Sequence, residues 1–242
     1  VFLTALNASN DQHLSMQDEI EDAPYEVVYE GRTWSPKNYG NEYLGKVNLV
    51  TALIKSLNTA TVRVAMQVGL ENVLETFLQF EVQSKIKPFP SMALGAFEIT
   101  SLDLAKIYST FARNGDVPDL YSIQKVEDIQ HNVLYVRPTE PLSNKKFSDE
   151  VIEPLNSALH EATQRGTAQA IARSKIPFWT AGKTGTTSDY KDAWFAGFSK
   201  NLTGIAWVGF DDNTSDNLTG ATGALPIWIS FFETVGQQFE SF

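Results

Sequence analysis

The chain has 242 residues, 43% of them hydrophobic, enough for one large or two modest domains with a real core. Nineteen basic residues stand against 29 acidic ones, a net charge of −10, and no Lys/Arg-rich run occurs, so no nucleic-acid partner is expected. The absence of cysteine excludes a thiol nucleophile, a Cys-ligated metal and a disulfide framework, and suits a periplasmic or a cytosolic location equally. No apolar run approaches the roughly 20 residues that cross a bilayer, and no signal peptide is present. The chain begins without Met, at Val1-Phe2-Leu3-Thr4-Ala5-Leu6, which reads as the inside of a helix and suggests a piece of a longer chain.

A polar stretch, Asn7 to Glu21, and a mixed segment, Tyr25 to Trp34, read as loop and short strand, ending in Trp34-Ser35-Pro36-Lys37-Asn38. Val47, Val50, Ile54 and Leu57 recur at helical spacing, predicting a helix that ends near Ser56-Leu57-Asn58. Val62, Ala65 and Met66 predict a second helix stopped at Gly69, and Val73, Phe77 and Phe80 a third after Asn72. Thr100-Ser101-Leu102-Asp103 has the form of a capping box ahead of Leu104, Ile107, Tyr108 and Phe111, with Asn114-Gly115 as the stop. Ser122 to Arg137 alternates apolar and polar residues and predicts a β-hairpin; Ile152, Leu155, Leu159 and Ala162 predict a helix leading to Arg165-Gly166-Thr167-Ala168. Phe178 to Gly182, Ala193 to Phe198 and Gly204 to Phe210 then read as an antiparallel meander. Their near-continuous apolar character implies helices on both faces, one of them carrying Trp228, Phe231, Phe232, Val235 and Phe239 as a single stripe. Three such strands would leave an apolar edge unpaired, so further strands are expected upstream. The fold class is therefore α/β (α+β): an antiparallel sheet covered by helices on both faces, with a mainly helical part over residues 1–175 and the sheet strands and C-terminal helix over 176–242.

Two stretches carry chemistry. Lys183-Thr184-Gly185-Thr186 places a point charge beside hydroxyl and backbone donors at a strand edge, which suits a substrate carboxylate; alone, it also fits a strand leaving through a solvated turn. Ser56 and Asn58 flank Leu57 at a helix exit; alone, such a pair is an ordinary cap or turn. His13, His131 and His160 lack metal-ligand spacing and read as solvated, so neither a metal nor a cofactor is expected. The acidic run Gln17 to Asp22 reads as a solvated face, and Arg165-Gly166-Thr167 either as a helix end that shapes the site or as a plain helix stop.

Taken together, the helix-exit Ser-x-Asn and the later strand-borne Lys-Thr-Gly-Thr resemble two of the three motifs of the penicillin-recognising serine acyl-transferases. Trp34-Ser35-Pro36-Lys37-Asn38, Ser56-Leu57-Asn58-Thr59-Ala60-Thr61-Val62, Leu94-Gly95-Ala96, Arg165-Gly166-Thr167-Ala168, Ala181-Gly182-Lys183-Thr184-Gly185-Thr186-Thr187 and Asp192-Ala193-Trp194-Phe195-Ala196-Gly197 stand in the order seen in class A penicillin-binding proteins. The chain resembles the transpeptidase domain of the bifunctional penicillin-binding protein 1b type, with the penicillin-binding protein/serine β-lactamase-like fold that this implies. One motif is missing: the family's Ser-x-x-Lys runs almost directly into a Leu-Thr-Ala-Leu-like segment, here Leu3-Thr4-Ala5-Leu6, so the nucleophile is expected a few residues before Val1.

The resemblance implies a D,D-transpeptidase that cross-links peptidoglycan stem peptides through a serine acyl-enzyme and is acylated by β-lactams. It assigns Ser56 to proton relay, Asn58 to the substrate backbone and the absent lysine, and Lys183 to support of that network. Thr184 and Thr186 would bind the donor's carboxylate, the Thr186 N–H would form half of an oxyanion hole, and Gly185 would let substrate lie close to the strand. It also implies an upstream glycosyltransferase domain, cell-wall regulatory proteins as partners, and a periplasmic location with an N-terminal membrane helix outside this sequence. The competing readings are an inactive binding or regulatory module of the same fold, which lack of Ser-x-x-Lys upstream would favour, and a β-lactamase, against which Ser-Leu-Asn stands in place of Ser-Asp-Asn.

Overall fold

The computed structural model describes every residue except 10, 11, 139–142 and 241–242. Two positions of the polar stretch expected from Asn7 to Glu21 therefore lie outside the described residues. The chain opens in α1 (Phe2–Asn7), which buries Phe2, Leu3, Ala5 and Leu6. Next come β1 (Glu19–Asp22), β2 (Val27–Tyr29), β3 (Arg32–Trp34) and β4 (Gly45–Asn48), paired antiparallel as β1 with β4 and β2 with β3. Val47 thus lies in a strand opposite Ile20, not in the helix its spacing suggested. The boundary is set by Asn48, whose side chain accepts from the Thr51 N–H at 2.9 Å and starts α2 (Leu49–Ile54).

After Ser56 and the buried Leu57, α3 (Asn58–Val68) runs to Gly69, whose φ of +90° stops it as expected. The following helix, α4 (Leu70–Leu78), starts earlier than predicted. Asn72 lies inside it and donates to the Val68 carbonyl at 2.7 Å, closing the end of α3 instead of opening α4. In α5 (Ser101–Ala112) the Thr100 hydroxyl accepts from the Asp103 N–H at 3.0 Å. The reciprocal half of the capping box is replaced: Asp103 accepts from the Gln83 and Ser84 amides and the Ser84 hydroxyl, tying the helix to the preceding loop. The hairpin of β5 (Lys125–Glu127) and β6 (Val133–Val136) and the long α6 (Asp149–Arg165) fall where the periodicities place them.

The meander consists of β7 (Ala181–Thr186), β8 (Asp192–Phe198) and β9 (Thr203–Gly209), in that spatial order, so β7 is an edge. Phe178 to Thr180 are not part of β7; the strand begins later and carries Lys-Thr-Gly-Thr in its body. Side chains along β8 alternate between the two faces. Phe195 meets Trp228 of α7 (Ala224–Phe231) edge-on, with centroids 5.1 Å apart. Phe198, on the opposite face, meets Tyr108 of α5 and joins a core that includes Leu155 and Leu159 of α6. Helices therefore cover both faces. Further strands do lie upstream, but among the described residues none joins this sheet: β1 to β6 pair as separate two-stranded ribbons. The premise fails at β9, where Trp207 is 41% exposed, so that strand is not buried on both faces. The C-terminal stripe is also broken: Trp228 and Phe232 stack in the core, but a π-turn over Phe232–Gly236 interrupts the 3.6-residue period before α8 (Gln237–Glu240), and Phe231 and Phe239 are exposed.

Among the described residues no helix is long and apolar enough to cross a membrane.

Candidate active site

Ser56 sits just past the end of α2 with φ +58°, a left-handed conformation that a serine adopts only at a cost of about 1–2 kcal/mol. The turn aims its hydroxyl across a cleft at β7, where the Lys183 Nζ donates to Ser56 Oγ at 2.9 Å and to the Thr184 carbonyl at 3.1 Å. Burial of this half-buried ammonium lowers the lysine from 10.5 to about 8. Asn58, the first residue of α3, donates through its amide to the Lys37 carbonyl at 2.7 Å, joining the Ser-x-Asn arm to the Trp34-to-Asn38 segment.

A buried polar cluster fixes that joint. Asp22 accepts from Asn38 Nδ2 at 2.7 Å, from the Thr59 hydroxyl at 2.5 Å and from the Leu44 N–H at 2.9 Å, while Asn38 Oδ1 accepts from the Thr59 N–H. A carboxylate with three donors directed at it offsets its own burial. The acidic run thus ends in a buried residue: Asp22 is fully enclosed, not part of a solvated face.

On the far side of the cleft the edge of β7 is open. The Thr187 N–H donates to the Asp192 carbonyl, so by the alternation of an antiparallel ladder the Thr186 N–H one residue earlier points away from β8. The end of α6 closes the third side. The Thr167 N–H donates to the Ile54 carbonyl at 3.1 Å, and a Cβ on Gly166 would lie 2.5 Å from that same oxygen, so only glycine lets α6 come this close to α2. Thr167 then brings its hydroxyl to 2.6 Å from that of Thr184.

Ser56, Asn58, Lys183, Thr184, Gly185 and Thr186, the six residues singled out from sequence, all line one cavity of about 930 Å³. Its charged side chains among the described residues are Lys37, Lys55, Lys183 and Asp189, a cationic balance within an acidic chain that suits an anionic ligand. The cavity extends over an apolar floor including Phe77, Ile107, Phe111 and Leu155, and Val1 lies at its wall.

Sequence reading missed several lining groups. Tyr39 and Tyr190 flank the cleft, and Asp189 and Tyr190 both take positive φ, which an aspartate tolerates but which nothing in the residue type of Tyr190 announces. The Gly220 N–H donates to Thr186 Oγ1 at 3.0 Å; a small-residue run, Thr219-Gly220-Ala221, was the available signal. The histidine reading is corrected at one position: His160 is not solvated but stacks on Trp179 and bonds the Thr180 carbonyl through Nδ1, bracing the entry to β7. Among the described residues no group of three or more His, Asp or Glu is placed to hold a metal ion.

The chain matches the family described as "Penicillin binding protein transpeptidase domain" over residues 2–224. It is 35% identical over 235 residues to penicillin-binding protein 1B of Vibrio cholerae, covering 96% of this chain and 30% of that protein. To penicillin-binding protein 1B of Escherichia coli it is 33% identical over 231 residues, covering 94% and 27%. Penicillin-binding protein 1A from Haemophilus influenzae superposes with a TM-score of 0.87 at 27% identity, over 97% of this chain and 40% of that one. The PonA1 protein of Mycobacterium tuberculosis in complex with penicillin V superposes with a TM-score of 0.77 at 22% identity, over 96% and 66%, and shares the fold. The chain spans less than a third of the length of these curated relatives.

Proposed function

The chain belongs to the family of penicillin-binding protein transpeptidase domains, and from that premise we propose that in its parent protein it is a D,D-transpeptidase that cross-links peptidoglycan stem peptides through a serine acyl-enzyme. The observation that carries the proposal is the contact of Lys183 with Ser56 beside the open edge formed by Thr184, Gly185 and Thr186.

The attacking serine comes from the segment before Val1; Val1 lines the same cavity as Ser56 and Lys183, which supports that placement. The serine adds to the carbonyl between two D-alanines, and its proton leaves to a neighbouring base within the polar network. The Thr186 N–H and the serine's own N–H stabilise the resulting oxyanion. Collapse breaks the peptide C–N bond, and the departing D-alanine amine takes a proton relayed through Ser56. An amine from a neighbouring strand then attacks the ester and regenerates the serine. Lys183, with its lowered pKa, supplies charge to the relay while exchanging protons readily near neutral pH. Asn58, oriented by its bond to Lys37, holds the substrate backbone and the lysine of the absent motif, and Thr184 and Thr186 bind the terminal carboxylate. A β-lactam occupies the donor's place and stays as the ester.

The parent is proposed to carry a glycosyltransferase domain upstream, to be anchored with this unit in the periplasm, and to answer to cell-wall regulatory proteins. Given a disaccharide pentapeptide, the parent protein is expected to release D-alanine and form cross-linked dimers, both lost in Ser56→Ala and Lys183→Ala. No release by the wild type favours the inactive binding-module reading; full turnover by the variants removes the roles of Ser56 and Lys183.

A further inference from the structure

A carboxylate only accepts hydrogen bonds, whereas a threonine hydroxyl has one proton to give and two lone pairs to fill. Whether Thr184 and Thr186 select an anion depends on where those two protons point. Each hydroxyl has a scaffold partner. Thr186 Oγ1 accepts from the Gly220 N–H at 3.0 Å, a donor with no other role open to it, so the Thr186 proton is left for the cleft. Gly220 is pressed against β7 and β8: a Cβ there would lie 2.4 Å from the Trp194 carbonyl and 2.5 Å from that of Gly185, so this backbone donor is fixed in place.

Thr184 Oγ1 has the equivalent neighbour in Thr167 Oγ1 at 2.6 Å. The Thr167 backbone is itself immobilised, by its N–H on the Ile54 carbonyl and by the close approach of Gly166 to α2. We infer that Thr167 is a positioning residue for carboxylate recognition: its hydroxyl donates to Thr184 and thereby turns the Thr184 proton toward the ligand's anionic terminus. The chain of hydrogen bonds runs Thr167 O–H to Thr184 O–H to carboxylate, each bond polarising the next. The inference rests on the proposed role of Thr184 and Thr186 in holding the donor's carboxylate and adds what sets their direction. Because Ile54 lies two residues before Ser56, the Gly166-Thr167 pair also fixes the carboxylate wall relative to the proton-relay arm.

The test uses the full-length parent protein and compares acylation rate constants for a penicillin and for its methyl ester, which lacks the anion. Thr167→Val keeps the side-chain shape and removes the donor. It is expected to reduce the acid-over-ester preference about tenfold through the acid rate alone, the size of one charge-assisted hydrogen bond weakened. Thr167→Ser is expected to restore the preference to within about twofold. Thr167→Ala is read in the same way if the valine variant does not fold. An unchanged preference in the valine or alanine variant overturns the inference, as does an equal fall in the acid and ester rates, which marks a structural role. Thr184→Val and Thr186→Val report separately: if neither lowers the preference, the carboxylate reading itself fails, whatever Thr167 does.

Discussion

Replacing Lys183 by Met should abolish acylation and at the same time stabilise the fold at neutral pH. A fall of the ammonium from 10.5 to about 8 corresponds to about 3 kcal/mol of preference for the neutral form in the folded state. The sign follows from linkage: the folded pKa lies below the unfolded one, so the unfolded state binds more protons between them, and stability rises with pH through that window. The penalty is present in full below about pH 8 and is gone above about 10.5. Methionine fills the same volume without the charge and forfeits the bonds to Ser56 Oγ and the Thr184 carbonyl, a loss of about 1–2 kcal/mol. The net expectation is a gain of about 1 kcal/mol at pH 7, or about 2–4 °C in melting temperature for a domain of this size. At pH 9.5 the gain should vanish or reverse, since much of the wild-type penalty has been relieved. Calorimetry of wild type and Lys183→Met at both pH values reads this directly. A variant less stable than wild type at pH 7, or a difference that does not change with pH, would refute the reasoning.

Three further substitutions probe the frame around the cleft. Ser56→Gly should be about 1 kcal/mol more stable to urea than Ser56→Ala, because both lack the hydroxyl and only glycine accepts φ +58° freely; equal stabilities would remove the strain assigned to this turn. Gly166→Ala, which sets a Cβ against the Ile54 carbonyl, should cost about 1–3 kcal/mol and slow acylation, and a neutral result by both measures would mean that α2 and α6 separate easily. Asp22→Ala strips the acceptor from Asn38, Thr59 and the Leu44 N–H; a loss of about 3 kcal/mol in chemical denaturation is expected, whereas a loss below about 1 kcal/mol would show that the cluster is not what pins the Ser-x-Asn arm.

The parts of the molecule that could be read from sequence are those that local periodicity or residue chemistry dictates. The apolar spacings of α3, α5 and α6 fix one buried face each, and the Gly69 and Asn114-Gly115 stops have conformational reasons that do not depend on neighbours. Ser56, Asn58 and Lys-Thr-Gly-Thr stood out by residue type and order, and the fold brings all of them to one cavity. Errors arose where two periods overlap or where a distant partner decides. Val47 satisfies a helical spacing but is held by Ile20 across a ribbon, and Phe178-Trp179 reads as strand although Trp179 turns onto His160. Asp103 has the form of a capping-box acid but finds better donors in Gln83 and Ser84. The orienting contacts of Thr184 with Thr167 and of Thr186 with Gly220 join positions 17 and 34 residues apart, and only the packed α6 end and the loop beside β8 bring them together.

The central claim is that this cleft orients and relays, while the attacking serine is supplied by residues preceding Val1. Incubating the full-length parent and the 242-residue chain with a fluorescent penicillin, followed by a denaturing gel, tests it most directly. A covalent band on the parent and none on the 242-residue chain is the expected result; labelling of the 242-residue chain, or no labelling of the parent, would contradict it.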